Sequence, residues 1–175
     1  RPDIELKDLR GNINTRIAKL KAGEYDAIIL AATGVQKLQI EDEVRYFTPI
    51  SIDEMIPSMG QATLGIETLD NPELIELLSV LHDKNAEIES TIERSFVHTL
   101  EGGCQVPIGV KATILDENSV DVRAIVGMPD GSEYVQEDIV INIDDYKTAG
   151  QALAQTFIDQ GAKELLERAE KVAFK

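Results

Sequence analysis

Leu100-Glu101-Gly102-Gly103-Cys104-Gln105-Val106-Pro107-Ile108-Gly109 is where the chain changes character. Before it, Ile88, Ile92, Phe96 and Leu100 recur every fourth residue, the spacing of one helix face. After it, Ile108, Val110, Ala112 and Ile114 recur every second residue, the spacing of a half-buried strand. Cys104 is the only cysteine in 175 residues, and two glycines precede it. Glycine reaches backbone conformations closed to other residues and lets a chain lie close to a ligand. The stretch therefore predicts a tight loop between helix and strand. Two readings of the thiol stay open: a small buried apolar group, where most free cysteines go, or a sulfur presented to a ligand.

Working outward toward the C-terminus, Asp116-Glu117-Asn118 predicts a turn, and Val120, Val122, Ala124 and Val126 alternate again. In Pro129-Asp130-Gly131, proline presets φ and glycine accepts a positive φ, so a second turn follows. A third strand spans about 133–141. One long helix is expected over about 147–172, with Leu153, Phe157, Leu165 and Ala169 inward and Gly161 weakening its middle by roughly 1 kcal/mol. Three antiparallel strands flanked by helices make a small α+β domain over 83–175.

Working outward toward the N-terminus, Asn85 to Leu100 reads as the helix that enters the loop. Asn71 caps an earlier helix, with Pro72 at its first position and Leu74, Leu77, Leu78 and Leu81 on its apolar face. Residues 57–67 read as a crossing segment or hinge with a strand in it, and residues 1–62 as alternating α and β. Ile4-Glu5-Leu6 is a short strand candidate, Asn14 a helix cap, and Ile13, Ile17 and Leu20 the stripe of that helix. Tyr25-Asp26-Ala27-Ile28-Ile29-Leu30-Ala31 is nearly continuous in apolar residues, as in a strand buried on both faces of a parallel sheet; Gly34 ends it, and a short helical turn follows at Val35–Leu38.

The chain holds 17 basic and 32 acidic residues, a formal charge of −15. That argues against a nucleic-acid partner held by electrostatics. One cysteine permits no internal disulfide and fits a reducing compartment. The longest apolar run is too short to span a bilayer, and no leader is visible. The chain starts Arg1-Pro2-Asp3, without methionine, which suggests a cut or processed start.

Against that acidity, Arg10-Gly11-Asn12-Ile13-Asn14-Thr15-Arg16 stands out. Two guanidinium groups flank an expected helix N-terminus, where free N–H groups and the dipole favour an anion. Arginine forks also match carboxylates bidentately. The residues alone leave two readings: a cradle for a small polyanion, or arginines paired with surface acids. Lys37 follows the apolar run, near where ligands bind at the ends of strands in open α/β sheets; alone it is equally a solvated lysine. His82 and His98 lack metal-ligand spacing with each other or with Cys104, so no metal is expected.

Gly-Gly-Cys-Gln-Val-Pro-Ile-Gly at 102–109 resembles the cofactor-attachment loop of the porphobilinogen deaminase (hydroxymethylbilane synthase) family. Leu9-Arg10-Gly11-Asn12 with Thr15-Arg16, Gly23 to Ala31, Pro57 with Gly60-Gln61 and Gly65-Ile66-Glu67, and Glu93-Arg94-Ser95-Phe96 occur in that family's order. The resemblance implies a three-domain protein. Residues 1–61 would be the later part of a second, periplasmic-binding-protein-like α/β domain, 62–82 the crossing back to the first, and 83–175 the third. It implies condensation of four porphobilinogen molecules into hydroxymethylbilane with release of ammonia, in tetrapyrrole and haem biosynthesis. A dipyrromethane cofactor, joined by a thioether to Cys104, would prime the reaction. Arg10 and Arg16 would hold its acetate and propionate groups and those of the substrate. Lys37 stands where many members have a third arginine, keeping the charge without the fork. Gly60-Gln61-Ala62 departs from the family's usual Gly-Gln-Gly. The family's catalytic aspartate lies N-terminal to every residue here, so no catalytic residue falls in this chain, which is expected to need the missing N-terminal part of the protein. The family also implies a cytoplasmic enzyme, monomeric at full length, with no membrane and no nucleic acid. Two other classes compete: a non-catalytic small-anion-binding α/β module, and a thiol-based redox or acyl-transfer protein.

Overall fold

A computed structural model describes residues 3–101 and 107–173. The contacts divide into two units, one ending at Ile50 and one starting at Ser51.

The first unit contains α1 (Ile13–Lys21), α2 (Ala32–Leu38) and a 3-10 turn at Glu41–Glu43. Ile17, Val35 and Ile40 are its buried residues, with Ile13, Ile28, Leu30 and Val44 packed against them. The helices approach closely at Gly34, where a Cβ would lie 2.7 Å from Ile13 Cδ1. Gly34 thus belongs to α2 rather than ending a strand.

Three further expectations for this unit are corrected. Neither Ile4–Leu6 nor Tyr25–Ala31 forms a strand. Tyr25–Ala31 is extended, with Ile28 and Leu30 turned to the helices and Ile29 70% exposed between them. Among the described residues, no backbone group of Tyr25–Leu30 pairs with another segment. A strand exists only through the ladder it shares with a neighbour, and here one face is covered and no edge is paired. The cap of α1 is Asn12, not Asn14.

The second unit holds the sheet. β1 (Ile108–Ile114), β2 (Ser119–Gly127) and β3 (Tyr134–Asn142) form an antiparallel meander in the order β1-β2-β3, with Val110 opposite Ala124 and Val122 opposite Ile139. Alternation places Val110 and Ala112 with Val120, Val122, Ala124 and Val126 on one buried face. Against it pack α4 (Lys84–Thr99), α5 (Tyr146–Asp159) and α6 (Ala162–Ala173). Phe96 and Phe157 meet edge to face at 5.0 Å in the centre, a geometry worth about 0.5–1.5 kcal/mol beyond their burial. The predicted inward residues Ile88, Ile92, Phe96, Leu100, Leu153, Phe157, Leu165 and Ala169 are all buried.

The single helix expected over 147–172 is two helices. Gly161 takes φ +87° between them, and its N–H closes α5 on the Ile158 carbonyl at 2.9 Å. A straight helix of that length would run about 39 Å, against roughly 30 Å for a nine-residue strand. The bend lets Ala162, Leu165 and Leu166 join the core and keeps Ala169 buried.

Residues 62–67 contain no strand. An earlier helix, α3 (Pro72–Leu78), has the expected Asn71 cap, but Leu74, Ile75 and Leu77 remain exposed. That face is largely open, so its apolar spacing yields no core. Among the described residues no helix is long and apolar enough to cross a membrane.

Candidate functional site

The start of α1 is built by four residues. Asn12 accepts from the Thr15 N–H and hydroxyl, both at 2.9 Å, which satisfies one open helix donor. Gly11 sits at φ +122°, and a Cβ there would come within 3.0 Å of the Thr15 side chain. The loop therefore needs glycine both for its backbone and for space. Arg16 Nε donates to the Gly11 carbonyl at 2.7 Å, which orients the guanidinium and leaves its terminal nitrogens for other acceptors. Arg10 is exposed two residues before the cap.

Among the described residues, no carboxylate lies in ion-pair range of Arg10, Arg16 or Lys37, although Lys21, for comparison, pairs with Glu43 at 2.7 Å. The surface-pairing alternative for the two arginines finds no support in these residues. Arginines without described counter-charges suit a ligand bearing carboxylates. Arg10 and Arg16 flank the helix start in sequence, and Lys37 is exposed in the last turn of α2, where its charge complements the helix dipole.

Cys104 lies outside the described residues, but both flanks of its loop are described. α4 is capped by Asp83, which accepts from the N–H groups of Asn85 and Ala86. It ends at Leu100 and leaves through Glu101 at φ +58°. On the other side Pro107 accepts from the Gly127 N–H at 3.2 Å and leads into β1. The entering helix thus presents its C-terminal, electronegative end toward the loop, which does not favour a thiolate.

A cluster the sequence reading missed joins those two flanks. Glu93 is 2% exposed on α4. Its Oε1 accepts from the Ala112 N–H and from Lys111 Nζ, both at 3.1 Å, and its Oε2 from the Gly60 N–H at 2.7 Å. One turn earlier, Glu89 accepts from the Ile114 N–H at 3.2 Å and from Lys111 Nζ at 2.9 Å. The Val110 N–H donates to the Pro57 carbonyl at 2.8 Å. Alternate donors of the outer edge of β1 are therefore taken by side-chain carboxylates and a loop carbonyl instead of another strand. Burial pulls the Lys111 ammonium pKa down, but its hydrogen bond to Glu89 and its attraction to Glu93 outweigh that, and the net direction is up. The available signal was a pair of acids four apart, beside an apolar stripe at Ile88, Ile92 and Phe96.

The fold defines a class: a small α+β domain built on a three-stranded antiparallel sheet, in a chain whose one cysteine falls in sequence between the helix ending at Thr99 and the strand starting at Ile108. Residues 1–76 match the family model described as porphobilinogen deaminase, dipyromethane cofactor binding domain, and residues 87–159 match that of the porphobilinogen deaminase C-terminal domain. The chain belongs to the porphobilinogen deaminase family. It is 79% identical over 175 residues to the porphobilinogen deaminase of Aliarcobacter butzleri, covering 100% of this chain and 56% of that protein. It is 52% identical over 170 residues to that of Sulfurimonas denitrificans, covering 97% of this chain and 54% of the relative. With that of Nitratiruptor sp. it shares 53% over 175 residues, again 56% of the relative. The chain thus spans about half the length of the curated relatives it matches.

Proposed function

We propose that this chain supplies the cofactor thiol and part of the carboxylate cradle of a hydroxymethylbilane synthase. In this reading dipyrromethane is bound through a thioether to Cys104 and primes the condensation of four porphobilinogen molecules. The observation that carries it is the pair Arg10 and Arg16 at the start of α1, without described carboxylate partners in a chain of charge −15. Pyrrole units bearing acetate and propionate are the kind of polyanion such forks bind.

The residues of this chain would act in three ways. Arg10 and Arg16 bind and orient carboxylates, and Lys37 adds charge. Cys104 would form the covalent link: on porphobilinogen that has lost ammonia to become a methylene-pyrrolenine, the sulfur lone pair would bond to the methylene carbon as the S–H proton is lost, and a proton would return to the ring nitrogen to restore the pyrrole N–H. A helix C-terminus beside the loop does not hinder this, because so reactive an electrophile does not demand an activated thiol. The cofactor, once bound, supplies the growing end of the chain. The carboxylate that assists deamination would come from a segment outside this sequence, since general acid–base work requires a group within hydrogen-bond reach of the reacting atoms.

The same reading places 1–61 in a periplasmic-binding-protein-like α/β domain. The extended Tyr25–Leu30, with one face covered and no backbone partner among the described residues, is what a sheet strand looks like without its neighbours. Residues 62–82 would cross to another domain, giving the bare apolar face of α3 a cover, and 83–175 would be the C-terminal domain. The whole enzyme would be a cytoplasmic monomer. The test is the denatured intact mass of the full-length protein. A reductant-stable adduct of two pyrrole units, lost in Cys104→Ser, is expected. A clean apo mass in the active parent, or a full adduct in the serine variant, would overturn the reading; an adduct removed by reductant would favour thiol redox chemistry.

A further inference from the structure

Residues 53–60 lie as a strap along the edge of β1. Asp53 pairs with Arg123 of β2. The Ile56 carbonyl lies against Gly109, where a Cβ would come within 2.7 Å of it. Pro57 accepts from the Val110 N–H, and the Gly60 N–H reaches Glu93. Immediately afterwards Gly60 (φ +73°) and Ala62 (φ +65°) turn the chain through two left-handed residues. Among the described residues the Gly60–Glu93 bond is the strap's last hydrogen bond to the α+β body before that turn.

Glu93 is therefore bonded to three things at once: its own helix α4, the strand β1, and the strap. α4 and β1 are the two elements that bracket Cys104. From Glu93 to the end of α4 is six residues, about 9 Å of rigid helix. We infer that Glu93 is a positioning residue that holds both flanks of the cysteine loop in fixed register with the connection entering the domain. For its consequence on turnover this rests on the function proposed above.

The chemistry of the pin makes a sharp substitution available. Both carboxylate oxygens accept, and every partner donates. Glutamine keeps the shape but offers one acceptor oxygen and one NH2. The oxygen goes to Ala112 and the Lys111 ammonium, the stronger demand. The NH2 then faces the Gly60 N–H, donor against donor, and the end of the strap is released while α4 and β1 stay joined.

The experiment uses the full-length protein and residue-resolved hydrogen exchange, with turnover and intact mass measured alongside. In the parent, the Gly60 amide should be protected like an internal strand amide. In Glu93→Gln it should exchange at least tenfold faster, with Ala112 unchanged. The variant should carry a complete adduct on Cys104, show a kcat about tenfold lower, and keep its KM for porphobilinogen within twofold. A general loss of structure would instead raise exchange throughout and reduce adduct and rate together. An unprotected Gly60 in the parent overturns the inference, whether or not the variant folds. So does a variant with parent-like exchange at Gly60, or with a loosened Gly60, full adduct and parent kcat. If the parent lacks an adduct on Cys104, the proposed function fails, while the exchange data still decide whether the pin exists.

Discussion

The two units of this chain use similar residues to different effect. In the first, three described residues are buried, Ile17, Val35 and Ile40, and Ile29 is bare. In the second, seventeen described residues form one core from Ile88 to Leu166. The backbone tells the same story. Tyr25–Leu30 leaves its groups unpaired, while the outer edge of β1 is covered by Pro57, Glu93 and Glu89. An apolar run becomes a stable strand only when both its faces and its edges find partners. The second unit, strap included, contains those partners within itself; among the described residues the first unit does not.

The sharpest way to break this comparison is to empty each core. Phe157→Ala removes the ring that meets Phe96 edge to face at zero exposure. It should cost about 3–5 kcal/mol, read from urea midpoints of the α+β transition. Ile17→Ala should cost at most about 2 kcal/mol, the low end for a buried aliphatic whose surroundings collapse easily. Equal costs would mean that the first unit is as self-sufficient as the second.

A smaller effect tests how tightly the second core is closed. Gly150 of α5 lies against α4, and a Cβ there would overlap Ser95 Oγ and the Ile92 carbonyl. Gly150→Ala should cost about 1–3 kcal/mol as overpacking. Ser95→Ala in the same protein should restore only part of that, because the Ile92 carbonyl remains. Full rescue would show that the helices adjust freely and that the packing is looser than described.

The same contrast governs what the sequence revealed. The α+β body was legible because each of its signals is local and is answered locally. Period four ran into the loop and period two out of it, Pro129-Asp130-Gly131 made the turn, and the predicted inward faces are the buried ones. Gly161 was recognised as a weak point but not as a break, because the length of the sheet that bends the helix is not a property of the helix. Tyr25–Ala31 misled because its apolar run describes a strand's needs rather than their fulfilment. At the candidate site, Arg10 and Arg16 stood out from charge contrast, and their lack of described acid partners came only with the structure. Glu93 was unreadable as a pin, since its three donors lie 33 residues before it and 18 and 19 after it. The cysteine loop itself lies outside the described residues, so its geometry adds nothing to the sequence reading.

The joint that follows the strap gives a gain instead of a loss. Ala62 holds φ +65°, a conformation that disfavours a Cβ by roughly 1–2 kcal/mol. Glycine there removes that strain but adds freedom to the unfolded chain, worth about 0.4–1 kcal/mol in the other direction. Ala62→Gly should therefore stabilise the second unit by about 0.5–1 kcal/mol, seen as a higher urea midpoint with unchanged slope. Destabilisation would mean that the left-handed turn at Ala62 does not persist in solution, and that the strap does not end as sharply as the edge of β1 implies.

The smallest expected effect is a difference in pH slope, and it asks whether the sealed edge of β1 is electrostatic or merely steric. Lys111 serves Glu89 and Glu93 together, and those bonds hold its folded pKa above the ordinary lysine value of 10.5 despite burial. The folded state therefore keeps this proton to higher pH than the unfolded state does. Where the folded state binds more protons, stability falls as pH rises. The contribution of Lys111 should be complete below 10.5, and should disappear as pH climbs from there through the raised folded value. Other lysines and tyrosines titrate in the same range, so the measurement is a difference between two proteins. Stability of the parent and of Lys111→Met is followed from pH 9 to pH 12 by urea unfolding. The methionine variant starts less stable, because it leaves the buried Glu93 and the part-buried Glu89 carboxylates without their cation. Its decline with pH should be shallower than the parent's, and the two curves should converge above 10.5. Parallel curves would mean that the ammonium adds no pH-dependent stability, and that the edge of β1 is held by the carboxylate-to-backbone bonds alone.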